Sequence, residues 1–337
     1  MINIIGRRHL WYIISAIIIV PGLISLIFNG LLLGIDFRGG TLLELQLVDQ
    51  SNINTEEVRQ TLTPLNLGNL SVQSSGKNNI IIRTDTLAVE ENSTDNTNEN
   101  DNSISTKEVS SLTEIDQSSS SSIIGGTKQY NEIINTLQTK FGSIKEIRFE
   151  AIGPTISNEL ASKTIWAIVI ASLCIILYMS WAFRNVPAPT SAWRFGICAV
   201  AALLHDVLFV LGVYSILGAY WHVEIDFLFL PAILTVMSFS VHDSIVVFDR
   251  IRENLRKYTK HTFEEVVNMS VNETLVRSLN LSLTVIVTLV ALYLFGGESI
   301  RIFVFTLIVG LISGTYSSIF NASPLLVTWH YLSARKE

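Results

Sequence analysis

The sequence predicts an α-helical polytopic membrane protein of six transmembrane helices, with a small α+β domain inserted between helices 1 and 2. Three observations carry this. Of 337 residues, 49% are hydrophobic and only 15% charged, too apolar for a water-soluble protein of this length. Six apolar runs, 11–33, 164–183, 196–218, 225–248, 279–295 and 302–329, are long enough to cross about 30 Å of hydrocarbon at 1.5 Å per residue. Between the first and second runs lie about 130 residues, enough for a small domain of their own.

The first run follows Arg7 and Arg8 and has no small-x-small cleavage site, so it reads as a retained signal-anchor helix. An even number of spans puts both termini on one side. Arg184, Arg194, Arg250, Arg252, Arg256, Lys257, Lys260, Arg335 and Lys336 flank the spans on that same side, which is therefore expected to be cytoplasmic. The opposite loops, "AYWHVEID" and "GGESIR", carry only Arg301 as a fixed positive charge. The expected divisions are 1–35 for the N-terminus and first span, 36–160 for the extracytoplasmic domain, and 161–337 for the remaining five spans.

Within the loop, "TLLELQLV" (41–48) alternates as a strand, and 54–65 suits a helix with Asn54 as N-cap and Glu57 at the capping-box position. "LSVQSS" and "NIIIRT" flank Gly76, Lys77 and Asn78, a hairpin signal. Residues 127–142 place Tyr130, Ile133, Ile134 and Leu137 at helical spacing, and "SIKEIRFEAI" alternates again. The order β-α-β-β-α-β is the ferredoxin-like split pattern. Residues of about 86–126 are rich in Ser, Asn, Thr, Asp and Glu and too poor in apolar side chains to offset the entropy of ordering. They read as a disordered acidic insertion, expected to be a tolerated surface insertion rather than an acidic capture arm. Between Asp85 and Ser120 nine acids stand against the single base Lys107, a local net near −8, so the rest of a chain of formal charge −6 is slightly basic.

No phosphate-binding loop, zinc spacing or nucleophile constellation is present, which argues against an internal ATPase, and no enzyme is expected. No metal, organic cofactor or nucleic acid is called for. Cys174 and Cys198 fall in spans, where packing is their expected role.

The chemistry is expected inside the membrane. Asp243 lies seven residues before Arg250, about 10 Å along the helix axis from the charged boundary. A carboxylate at that depth is costly, and desolvation lets such an acid take up a proton near neutral pH. His242 precedes it. The third span holds a second pair, His205 and Asp206, either a hydrogen-bonded structural pair or a secondary relay. Arg277 enters the fifth span near the level of Asp243 and could pair with it, or could serve as a plain positive-inside anchor. Gly310, Gly314 and Ser318, four apart, suit close helix packing. In "GIDFRGGT", Gly39 and Gly40 suit a sharp turn after Asp36 and Phe37. The basic run "FDRIRENLRKYTK" is explained by topology more readily than by docking.

Taken together, "GIDFRGGT", "IGPTISNELASKT", "DSIVVFDRIRENLR" and "LFGGESIRIFVFTLIVGLISGTYSSIFNASPLL" resemble the SecF family, the smaller membrane component of the SecD/SecF accessory complex of protein export. The resemblance covers nearly the whole chain except the insertion. It implies membership of the resistance-nodulation-division superfamily. It further implies a SecD-like partner, the SecYEG channel, a translocating preprotein, surrounding membrane lipids, and use of the proton-motive force in late export. Asp243 then matches the fourth-span acid and Arg277 the fifth-span arginine of proton transport, with His242 standing where the family usually has Asn. The location implied is the inner (plasma) membrane, a thylakoid-type membrane being equally consistent. The competing readings are a proton-driven exporter of small molecules or lipids, and an assembly subunit whose intramembrane charges never titrate.

Overall fold

The computed structural model describes residues 2–48, 54–75, 78–85, 128–184, 186–187, 190–297 and 300–334. In chain order the first elements are α1 (Arg8–Asn29), α2 (Ile35–Arg38), β1 (Gly40–Leu47), α3 (Thr55–Leu62), β2 (Ser71–Ser75), β3 (Asn79–Thr84), α4 (Lys128–Phe141) and β4 (Ile144–Ile152). Then come α5 (Pro154–Ala182), α6 (Ala192–Trp221), α7 (Phe229–Lys257), α8 (Phe263–Phe295), α9 (Arg301–Ser317) and α10 (Ser323–Ala334), with a π turn, Ser318–Ala322, joining the last two. Contacts group the chain into two units, Met1–Phe37 with Glu159–Glu337, and Arg38–Asn158. The acidic insertion expected at about 86–126, and Gly76 and Lys77 of the hairpin turn, lie outside the described residues.

The second unit is a four-stranded antiparallel sheet of order β2-β3-β1-β4 with its two helices, the β-α-β-β-α-β pattern. Period-two alternation puts Leu43, Leu45 and Leu47 on one face, opposite Ile80 and Ile82 in the register Leu43↔Ile82 and Leu45↔Ile80. That face buries Val58 and Leu62 of α3 and Ile133 and Leu137 of α4, all fully inaccessible. Each such side chain contributes about 1.5–3 kcal/mol relative to exposure. The expected capping box at α3 does not form. Asn54 accepts from Glu56 N at 3.1 Å, and Glu57 instead lies 3.3 Å from Lys140 Nζ of α4. A tertiary ion pair has taken the side chain that the local motif would have used.

The first unit contains six helical stretches long and apolar enough to cross a membrane. α6, α7 and the α9–α10 arm form its centre, while α5 and α8 bury few residues. Glycine sets the closest approach. A Cβ on Gly22 of α1 would stand 2.8 Å from Gly212 Cα of α6, backbone against backbone, so no side chain can swing aside. Gly22→Ala is expected to cost about 1–3 kcal/mol, as overpacking does, and to lower the melting temperature in detergent. An unchanged midpoint would show that α1 is free to move off α6.

Several span limits differ from those the sequence predicts: the second spanning helix starts at Pro154 rather than 164 and the fourth runs on to Lys257 rather than 248, and three further limits have a local cause. The first helix stops at Asn29, because Gly30 adopts φ 67° and Leu32–Gly34 leave the helix to pair with Ile225. Ile225 N bonds Leu32 O at 2.8 Å and Gly34 N bonds Ile225 O at 2.9 Å. The fourth span accordingly starts at Phe229 rather than 225. The fifth begins at Phe263, far ahead of 279, because Thr262 and Glu265 form a reciprocal capping box.

Candidate functional site

The centre of the membrane unit holds two buried carboxylates, Asp206 on α6 and Asp243 on α7, at 1% and 4% exposure. Buried acids need donors, and neighbouring helices supply hydroxyls. Ser240 of α7 donates to Asp206 Oδ2 at 2.6 Å, Ser317 of α9 to the same oxygen at 2.6 Å, and Ser313 of α9 to Oδ1 at 2.7 Å. His205 Nδ1 lies 3.1 Å from Oδ1. The Ser282 hydroxyl of α8 faces Asp243, and Thr315 Oγ1 of α9 sits 2.6 Å from Ser282 Oγ. α9 thus contacts Asp206 directly through Ser313 and Ser317 and reaches the Asp243 side through Thr315 and Ser282.

Small residues make room for this. A Cβ on Gly310 would fall 2.2 Å from Val236 Cγ2, and one on Gly314 3.3 Å from Ser240 Cβ and 3.7 Å from Asp206 Oδ2. These two glycines let α9 approach α7 closely enough for its serines to reach the acid. Ser318 is buried at the start of the π turn, with its hydroxyl on Thr315 O at 3.2 Å. A π turn accommodates an extra residue in the helix, here directly after Ser317.

Other residues singled out in the sequence lie elsewhere. Arg277 is exposed and, among the described residues, makes no hydrogen bond or ion pair, so the structure does not bring it to Asp243. The buried stripe of α8 runs through Thr274, Ser278 and Ser282, and at 3.6 residues per turn Arg277 is rotated about 100° from Ser278. The same step turns His242 away from the acid. It is exposed and lines an apolar groove with Ala171, Cys174 and Ile175 of α5 and Met237 of α7.

In the Asp-Phe-x-Gly-Gly stretch, Asp36 Oδ2 accepts from Phe227 N at 3.0 Å, two residues ahead of α7. Phe37 packs half-buried against the core of the membrane unit. Gly39 and Gly40 take φ 78° and 132°, the left-handed region that only glycine adopts freely.

The family model described as protein export membrane protein SecD/SecF, C-terminal, matches residues 132–332, and the SecD/SecF GG motif matches 24–50. The chain belongs to the SecD/SecF protein-export family. Among SecD/SecF relatives, the protein translocase subunit SecF of Thermobaculum terrenum is 45% identical over 98% of this chain and 94% of its own. That of Anaerolinea thermophila is 38% identical over the same shares. The protein translocase subunit SecDF of Bacillus subtilis is 30% identical over 98% of this chain but only 38% of its own length. A crystal structure of SecDF, a translocon-associated membrane protein from Thermus thermophilus, superposes with TM-score 0.76 at 27% identity, covering 97% of this chain and 38% of that one. This SecD/SecF member is a multi-pass membrane protein with an auxiliary part in Sec translocation.

Sequence reasoning missed Ser240, Ser282, Ser313, Thr315 and Ser317. One signal was present: two intramembrane acids must be matched by donors from other helices, and Ser313 and Ser317 stand one turn apart on either side of Gly314.

Proposed function

We propose that this subunit couples proton movement to late steps of preprotein export, in complex with a SecD-like partner at the SecYEG channel, in the inner membrane with both termini cytoplasmic. The observation that carries the reading is Asp243, a 4%-exposed carboxylate inside a membrane helix, joined by Ser282 to Thr315 of another helix. An acid kept there against its cost is a functional group by default.

Protonation removes the charge that Ser282 and its neighbours solvate, and the packing of α7 against α8 and α9 is the element that feels it. Each proton entering down 100 mV supplies about 2.3 kcal/mol, enough to bias a two-state rearrangement by tens of fold. The outward end of α7 is tied to the linker that leads into the extracytoplasmic domain, through Asp36 to Phe227 N and through Ile225 to Leu32 and Gly34. A shift of α7 therefore reaches the linker by hydrogen bonds. The fused relatives, of which this chain matches 38%, support a SecD-like partner supplying the remainder.

In cells lacking their own SecF, the chain is expected to restore secretion of a reporter protein, and an uncoupler should abolish the restored increment. An increment that survives collapse of the proton gradient would refute the coupling.

A further inference from the structure

The Asp206 cluster has a feature that the Asp243 mechanism does not use. A carboxylate offers about four acceptor positions, and those of Asp206 are all taken. His205 Nδ1 and Ser313 occupy Oδ1, and Ser240 and Ser317 occupy Oδ2. A proton could enter that carboxylate only if one of these donors turned its hydroxyl round to accept or gave up its place. Because a carboxylate only accepts, His205 Nδ1 carries the hydrogen and Nε2 keeps its lone pair. His205 Nε2 is buried and has no hydrogen-bond partner among the described residues, an arrangement that costs about 1–3 kcal/mol when left unfilled.

We propose that His205 Nε2 is a second proton-accepting site of the membrane unit, and that Asp206, fixed by three serines from two helices, is the positioning residue that holds the imidazole tautomer. A carboxylate on one ring nitrogen and a free lone pair on the other is the arrangement that makes imidazole a proton acceptor.

The surroundings fit a group that changes charge at a helix interface. Gly22 meets Gly212, and Ser25 bonds Ser215 at 2.9 Å, so α1 and α6 run parallel, and Ser15 of α1 stands level with His205. Ser15 donates to Asn321 Oδ1 in the π turn at 2.9 Å and lies 3.1 Å from Tyr316 Oη. The Tyr316 ring stacks on His205, centroids 6.1 Å apart. Among the described residues, the titratable groups facing His205 are Asp206 on its own helix, with Asp243 on α7 beyond it, and Tyr316 on α9 with its hydroxyl on Trp11 O. A proton gained at Nε2 would sit where α1, α6 and the π turn meet.

His205→Asn keeps a donor for Asp206 in place of Nδ1–H and removes Nε2. Two measurements on the full-length protein test the proposal, which rests on the proton-coupled reading for export but not for the spectrum. A pH titration of the reconstituted protein by infrared difference spectroscopy should show an imidazole protonation band that is lost in His205→Asn and displaced in pH in Asp206→Asn. Gradient-dependent export should fall about 100-fold in His205→Asn and about 10-fold in Asp206→Asn, with melting temperatures near wild type. The absence of a His205-dependent band, wild-type export by His205→Asn, or losses that track a lowered melting temperature at every pH would each overturn it. If the band is present while Asp243→Asn exports normally, the second site stands and the proposed role of Asp243 falls.

Discussion

Replacing Asp243 by Asn is expected to abolish the gradient-dependent part of export while leaving a folded protein. The amide is nearly isosteric and still offers an acceptor oxygen on the Ser282 side, so the packing among α7, α8 and α9 is expected to persist. What disappears is the change of charge, and with it the only means by which a proton at this site can favour one helix arrangement over another. The loss should be complete in export assays driven by a proton gradient and absent in assays of melting temperature. Ser282→Ala provides a graded companion. It removes one donor and leaves the acid titratable, a deficit of about 1 kcal/mol in hydrogen bonding that should reduce export several-fold without eliminating it. Wild-type export by Asp243→Asn would refute the role of Asp243, and together with the absence of a His205-dependent band would leave the assembly-subunit reading as the better one.

The legible parts of this protein were those where one local cost or one local period decides the outcome. Leu43, Leu45 and Leu47 alternate because a strand buries one face, and the sheet follows that alternation. Asp243 and Asp206 stood out because a carboxylate in hydrocarbon is expensive whatever surrounds it. The hydroxyls that receive them did not stand out. Serine and threonine in a membrane helix satisfy themselves on the carbonyl one turn back, as Thr306 does on Ile302 O and Thr284 on Asn280 O. A Ser313 that reaches another helix therefore looks, in sequence, like a Thr284 that does not. In sequence, Arg277 stands between a partner of Asp243 and a positive-inside anchor for a related reason: depth can be counted from the sequence, but the face depends on which stripe of α8 the bundle buries, here Thr274, Ser278 and Ser282. The end of the first span was hidden because Leu31, Leu32 and Leu33 are apolar enough to prolong any hydropathy run, while their backbone leaves the helix to pair with Ile225, almost two hundred residues away.

That pairing leads to the second large expected effect, an uncoupling at Asp36. Asp36→Ala should leave the Asp243 site intact and yet stop the proton gradient from assisting export. The carboxylate is an acceptor for Phe227 N just ahead of α7, where a helix N-terminus favours negative charge. Its removal costs about 1 kcal/mol of capping, too little to unfold a bundle of this size but enough to free the linker at its last bond before Gly39 and Gly40. Asp36→Asn retains an acceptor oxygen and should keep part of the function. Gly34 offers a second handle on the same junction, since a Cβ there would stand 3.0 Å from Ile225 O; Gly34→Val should push the two backbones apart, and combined with Asp36→Ala should give a loss no larger than the stronger single change. Infrared titration of Asp243 separates the two levels of failure. If Asp36→Ala still protonates Asp243 as wild type does while export loses its dependence on the gradient, the linker transmits the movement of α7. Wild-type export by both Asp36→Ala and Gly34→Val would mean that the force takes another route, with α1 and its glycine contact to α6 the next element to test.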